Sequence, residues 1–117
     1  MRLVVDAMGS DNAPAPDIAG AIMAARQCTD TITLVGPESS IHTELKKHDL
    51  PSNIDVVHAE DVITMDDTPA KVGKAKPNSS MHIGLQMVKQ GDADGFVTAG
   101  NTGAAHAIAM LYTLKRI

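Results

Sequence analysis

The stretch Gly95-Phe96-Val97-Thr98-Ala99-Gly100-Asn101-Thr102-Gly103 sets a short apolar run directly against a glycine-bounded loop. Asn101 or Thr102 can cap a helix that continues through Ile108, Leu111 and Tyr112. A strand that turns this tightly into a helix is the repeating unit of a parallel sheet. The helix must carry the chain back before the next strand can run the same way.

The same unit recurs towards the N-terminus. Leu3-Val4-Val5 ends at Asp6 and leads through a Gly- and Pro-rich loop, residues 7–15, into a helix that starts near Pro16. Proline suits a first helical position, where its missing N–H would have no intrahelical partner. Ile18, Ala21, Ile22 and Ala25 recur at i, i+3, i+4 and i+7 and give that helix one apolar face. A second strand, residues 31–35, stops at Gly36-Pro37. Ile41 and Leu45 then mark the inner side of a short helix, with Lys46-Lys47 against the negative end of its dipole. A third strand, residues 54–57, leads through His58 and Ala59 into an acidic stretch, Glu60-Asp61 and Asp66-Asp67. Thr68-Pro69 there reads as an N-cap with a first-turn proline, followed by a broken helical piece carrying Lys71, Lys74 and Lys76. Asn78 or Ser79 caps a further helix with Met81, Leu85 and Val88 on its inner face, and Gly91 stops it. The pattern predicts mostly parallel strands at about residues 2–6, 31–36, 54–58 and 94–98, and helices over most of 16–27, 79–90 and 102–114.

Composition narrows the class. A chain of 117 residues is long enough for one domain with a core, which at 44% hydrophobic but 2% aromatic residues must be built from Ala, Val, Ile, Leu and Met. A net charge of −4 and a pI near 5.6 give no broad attraction for nucleic acid or an anionic membrane. Cys28 is the single cysteine, so no internal disulfide and no Cys-x-x-Cys pair can form. It falls on the first helix, where it reads as a packed core residue. Asp6 breaks the first apolar run too early for a signal peptide, and no stretch approaches the roughly 18 apolar residues that span a bilayer. A soluble cytoplasmic protein is the expectation. The chain stops at Leu114-Lys115-Arg116-Ile117 without a helix stop signal. That, and about four strands where sheets commonly have about five or six, suggests a fragment of a longer domain.

Ligands of an open parallel sheet bind outside the carboxyl ends of its strands, where the following helices point their positive N-termini. Two loops qualify. In Gly100-Asn101-Thr102-Gly103 the glycines admit a ligand close to the backbone, and first-turn N–H groups can hold an anion such as phosphate. The same residues equally make a plain strand-to-helix turn with an N-cap. No Lys-Ser or Lys-Thr follows, so it is not a P-loop. In Asp6-Ala7-Met8-Gly9-Ser10-Asp11-Asn12, a carboxylate at the strand end and small residues after it can face the same crevice, or Asp6 can simply cap a turn. A haloacid-dehalogenase phosphatase would need Asp where Met8 stands. His42, His48, His58, His82 and His106 show no metal-binding spacing, so no metal site built from them is expected.

These loops also carry a family resemblance. The run Val5-Asp6-Ala7-Met8-Gly9-Ser10-Asp11-Asn12-Ala13-Pro14 resembles the opening of the acyl carrier protein-dependent phosphate acyltransferases of bacterial phospholipid synthesis, typically Asp-Ala-Met-Gly-Gly-Asp-x-Ala-Pro. Ser79-Ser80-Met81, the segment Val88-Lys89-Gln90-Gly91-Asp92-Ala93-Asp94, and Thr98-Ala99-Gly100-Asn101-Thr102-Gly103-Ala104 are similar to that family's later motifs, in its order and at about its spacing. Ser10 stands where the family usually has a second glycine and Thr98 where it usually has serine. The resemblance covers essentially the whole chain but only the N-terminal part of a full-length member.

The resemblance implies a three-layer α/β/α sandwich with a mostly parallel sheet, of the isocitrate and isopropylmalate dehydrogenase type and incomplete here, residues 1–117 being the N-terminal part of one acyltransferase domain. It implies transfer of a fatty acyl group from acyl carrier protein to inorganic phosphate without a cofactor. A homodimer, loosely held at the inner face of the membrane through a part of the chain beyond these residues, goes with it. Asn101, Thr102, Gly103 and Asp6 become the expected catalytic groups, with Gly9, Asn12, Thr98, Gly100, Ser79 and Ser80 lining the substrate site. Lys71, Lys74 and Lys76, the densest basic stretch of an acidic chain, are expected to meet the acidic carrier protein. The rival readings are a coenzyme A-dependent phosphate acetyl- or butyryltransferase and a non-catalytic phosphate-binding α/β module.

Overall fold

The structure, a computed structural model, describes residues 1–64, 67, 68 and 76–108. The expected helical piece with Lys71 and Lys74, and the continuation of the last helix through Leu111 and Tyr112, lie outside the described residues. In chain order the elements are β1 (Arg2–Asp6), α1 (Ala15–Arg26), β2 (Thr31–Gly36), α2 (Glu38–Leu45), β3 (Ile54–His58), α3 (Ser80–Lys89), β4 (Gly95–Val97) and α4 (Thr102–Ala107). The strands form one sheet in the order β3-β2-β1-β4, parallel at every pairing. The central pairing aligns Val4 with Thr33 and Asp6 with Val35. On the other side Val4 aligns with Phe96 and Val5 with Val97.

Strand alternation sorts the side chains into two layers of core. Leu3, Val5, Ile32, Leu34, Ile54 and Val56 point to one face, against Ile18, Ala21, Ile22 and Ala25 of α1 and Ile41 and Leu45 of α2. Val4, Val35, Val57 and Phe96 point to the other, against Ile83, Met87 and Val88 of α3. Met81 and Leu85 turn to a neighbouring cluster with Ile63, Ala104 and Ile108, which seats α4 beside α3 on this second face. Helices on both faces of a parallel sheet make three layers, α/β/α.

The helix starts follow the sequence signals. Ser79, 0% exposed, caps α3 by accepting from the His82 amide at 3.1 Å. Asn101 caps α4 by accepting from the Ala104 amide at 3.0 Å. Gly91, at φ 82°, ends the α3 turn in the left-handed region that glycine tolerates. Gly84 brings α3 down onto the sheet, since a Cβ there would meet the Phe96 ring, with Cδ1 at 2.5 Å. Two expectations change. Cys28 lies beyond the end of α1 in the turn to β2, half-buried, with its thiol 3.9 Å from the Asp30 carbonyl oxygen. Val88 is only partly buried, because Met81 and Leu85 take the inner face of α3. Among the described residues no helix is long and apolar enough to cross a membrane.

Candidate active site

Because β1 and β4 are parallel neighbours, the loops that follow them emerge side by side at one edge of the sheet. Asp6 joins them. Its carboxylate, 2% exposed, accepts from the Met8 amide at 3.0 Å and the Ser80 hydroxyl at 2.7 Å through one oxygen. Through the other it accepts from the Thr98 hydroxyl at 2.7 Å. One side chain at the end of β1 therefore fixes its own loop, the start of α3 and the loop after β4. Thr98 Oγ1 in turn accepts from the Gly100 amide at 3.0 Å, which folds the 98–100 turn back on itself.

The two loops touch through their backbones. A Cβ on Gly9 would stand 2.9 Å from the Gly100 nitrogen and 3.0 Å from both the Ala99 nitrogen and Thr98 Oγ1. A Cβ on Gly100 would meet Met81 Cε at 2.8 Å. Both positions need glycine for this approach rather than for an unusual φ. Ser10, where the resembling family has glycine, is held by Asp17 in the first turn of α1: the hydroxyl donates to one carboxylate oxygen, and the Ser10 amide to the other at 3.0 Å. Asn12 is exposed in the turn before α1.

A third segment closes the arrangement. The Asn101 carboxamide donates to the carbonyl oxygens of Thr64 at 3.1 Å and Asp67 at 3.0 Å, while its oxygen caps α4. Asp67 accepts from the Thr64 amide and from Lys76 Nζ, each at 2.7 Å, and Lys76 also donates to the Val62 carbonyl at 2.6 Å. The Lys76 ammonium and the Thr64 amide hold the Asp67 carboxyl below the usual carboxylate range. Between this segment and the β1 loop lies a polar crevice of about 290 Å³, lined by Met8, Gly9, Ser10, Asp11, Ala13, Val62, Ile63 and Thr64. The first intrahelical bond of α4 runs from the Ala105 amide to Asn101, so the Thr102 and Gly103 amides precede the helix ladder at this same edge.

The structure thus brings together Asp6, Gly9, Ser80, Thr98, Gly100, Asn101 and the start of α4. Ser79 and Ser80 are buried in the frame rather than facing the crevice, and the Asn101 side chain is committed to internal bonds. Lys76 is paired with Asp67, so its charge is not a free surface charge. Sequence reasoning missed Asp17, Thr64 and Asp67. The acidic residue one turn into α1 was a readable cue for the first, but the carbonyl groups that Asn101 selects carry no sequence signature. Among the described residues no cluster of three or more His, Cys, Asp or Glu could hold a metal ion.

A family model described as fatty acid synthesis protein matches residues 1–117. A protein of Herpetosiphon aurantiacus named phosphate acyltransferase is 52% identical over 100% of this chain and 32% of its own length. Its namesake in Koribacter versatilis is 47% identical over 95% of this chain and 32% of its own, and that of Geotalea daltonii 44% over 100% and 34%. The chain spans about a third of the length of the curated relatives it matches. The match of the family model over the whole chain makes it a member of the fatty acid synthesis protein family.

Proposed function

We propose that these residues are the N-terminal part of an acyltransferase that moves a fatty acyl group from acyl carrier protein to inorganic phosphate. The observation that carries this reading is the joining of the Asp6 and Thr98 loops at one sheet edge, beside the first amides of α4. Phosphate is an anion at neutral pH and serves as its own nucleophile. One of its oxygens attacks the thioester carbonyl carbon, the tetrahedral oxyanion collapses, the C–S bond breaks, and the products are acyl phosphate and the carrier thiol, which takes up a proton. With a thiol pKa near about 8.5, the leaving group needs little acid help. The work left to the protein is positioning and electrostatic stabilisation.

Amides at Thr102 and Gly103 supply that stabilisation in this reading, with Gly100 and Gly9 leaving space for close approach. Asp6, Thr98 and Asn101 act as positioning residues that hold the loops, and Asn12 lies at the rim. Of the three lysines, Lys71 and Lys74 are the candidates for meeting an acidic carrier protein, and Lys76 staples the 62–67 segment.

Turnover by the full-length protein with acyl carrier protein thioester and with acyl coenzyme A, followed by phosphate-dependent thiol release and acyl phosphate formation, tests the proposal. Turnover with the carrier thioester is expected. Turnover with coenzyme A esters alone would favour the rival transferase, and none with either donor would leave a binding module.

A further inference from the structure

Carboxylates hold Gly9 from both sides. The Met8 amide before it donates to Asp6 at 3.0 Å. The Ser10 amide after it donates to Asp17 at 3.0 Å, and the Ser10 hydroxyl donates to the second oxygen of the same carboxylate. The Ser10 carbonyl in turn accepts from the Ala13 amide at 3.1 Å, which closes the 10–13 turn. The start of α1 explains why Asp17 is available for this grip. It stands third in the helix, the position from which an acidic side chain ordinarily reaches back to the N-cap amide. Here the N-cap is Pro14, which has no N–H, so the carboxylate turns to the loop instead. Ser10 lines the polar crevice on one side. On the other, Ser10 and Asp17 line the end of an open groove of about 410 Å³ beside β4, between the sheet and α1. Leu3, Val5, Ala24 and Val97 in the walls of that groove have apolar side chains, which offer the loop no hydrogen bond.

We infer that Asp17 is a positioning residue that acts, through Ser10 and Gly9, on the turn leading into α4. The route is short. Asp17 fixes Ser10, and Ser10 fixes the adjoining Gly9. Gly9 packs so closely on the 98–100 turn that a Cβ there would stand 2.9 Å from the Gly100 nitrogen. Asn101 and the Thr102 and Gly103 amides follow directly. Asp6 ties the same two loops together from the end of β1, and Asp17 adds an anchor from α1. Ser10 supplies a hydroxyl bond that the glycine usual in the resembling family lacks. The inference rests on the proposed role of the α4 amides in holding phosphate.

Steady-state kinetics and amide hydrogen exchange of the full-length protein test this. Asp17→Ala removes both bonds to Ser10 and is expected to raise KM for phosphate at least about fivefold, with kcat within about twofold of the parent. Ser10→Gly removes the hydroxyl bond alone and should fall between the two. Asp17→Asn presents an oxygen to the Ser10 amide and an N–H to its hydroxyl oxygen, and should bring KM back to within about twofold of the parent. An unchanged KM in Asp17→Ala would overturn the inference. So would a fall in kcat alone, or an Asp17→Asn variant as impaired as Asp17→Ala, which would make the charge and not the grip the cause. Exchange reads the same route without turnover. The Gly100 amide, bonded to Thr98 Oγ1 at 3.0 Å, should exchange at least about threefold faster in Asp17→Ala than in the parent. Equal exchange at Gly100 overturns the inference whatever the kinetics. If the parent turns over neither acyl donor, the proposed function fails and exchange alone decides the role of Asp17. Should Asp17→Ala fail to fold, Ser10→Gly carries the same measurements, and an unaltered Gly100 amide there overturns the inference.

Discussion

Replacing Asp6 by alanine removes the one side chain that bonds to the β1 loop, the start of α3 and the loop after β4 together. Hydrogen bonds to a charged group contribute about 1.5–3 kcal/mol each, so three represent roughly 4.5–9 kcal/mol before any offset. Against this stands the cost, several kcal/mol, of keeping a carboxylate out of water, which alanine no longer carries. The net expectation is a loss of about 2–4 kcal/mol, a large share of the roughly 5–15 kcal/mol that holds a domain folded. Asp6→Asn keeps the shape but turns one acceptor into a donor facing a hydroxyl, and should cost about 1–2 kcal/mol. Urea denaturation of the full-length protein, followed by circular dichroism, measures both. Thr98→Ser preserves the bond to Asp6 and should behave as the parent, whereas Thr98→Val breaks it. A double-mutant cycle between Asp6→Asn and Thr98→Val should then show coupling of at least about 0.5 kcal/mol. If Asp6→Ala stays within about 0.5 kcal/mol of the parent, or the two sites add independently, the carboxylate is not the joint described here.

Gly9→Ala places a methyl group 2.9 Å from the Gly100 nitrogen, against backbone that cannot swing aside. A loss of about 1–3 kcal/mol is expected, together with, on the proposed function, a raised KM for phosphate in the full-length protein, and an unchanged urea midpoint would contradict the close approach. Asp67 gives a pH dependence. Its folded-state carboxyl lies below the ordinary value, so the stability from the Lys76 and Thr64 bonds is fully present above the ordinary carboxylate range and is lost as pH falls through the lowered value. Asp67→Asn should flatten that acid limb, and an identical acid-unfolding profile in parent and variant would count against the assignment.

Spacing along the chain determined the elements of this protein. The alternation in Leu3-Val4-Val5, the apolar repeat Ile18, Ala21, Ile22 and Ala25, and the capping residues Ser79 and Asn101 are local features, and each formed the strand, helix face or cap that its period dictates. The resemblance in the two glycine loops likewise pointed to the family before any geometry. What spacing does not contain is which strand lies beside which, since the same periods serve any strand order. The order β3-β2-β1-β4 places residue 6 beside residue 98, and only then does a carboxylate that could equally have faced water become a buried joint. Asn101 shows the same division. Its capping role follows from its place before a helix, but its bonds to Thr64 and Asp67 depend on chain brought in from more than thirty residues away. The open groove beside β4 was equally invisible in the sequence, because it arises from the crossing of α1 over β1 and β2 and the seating of α4 on the opposite face, both decided by packing.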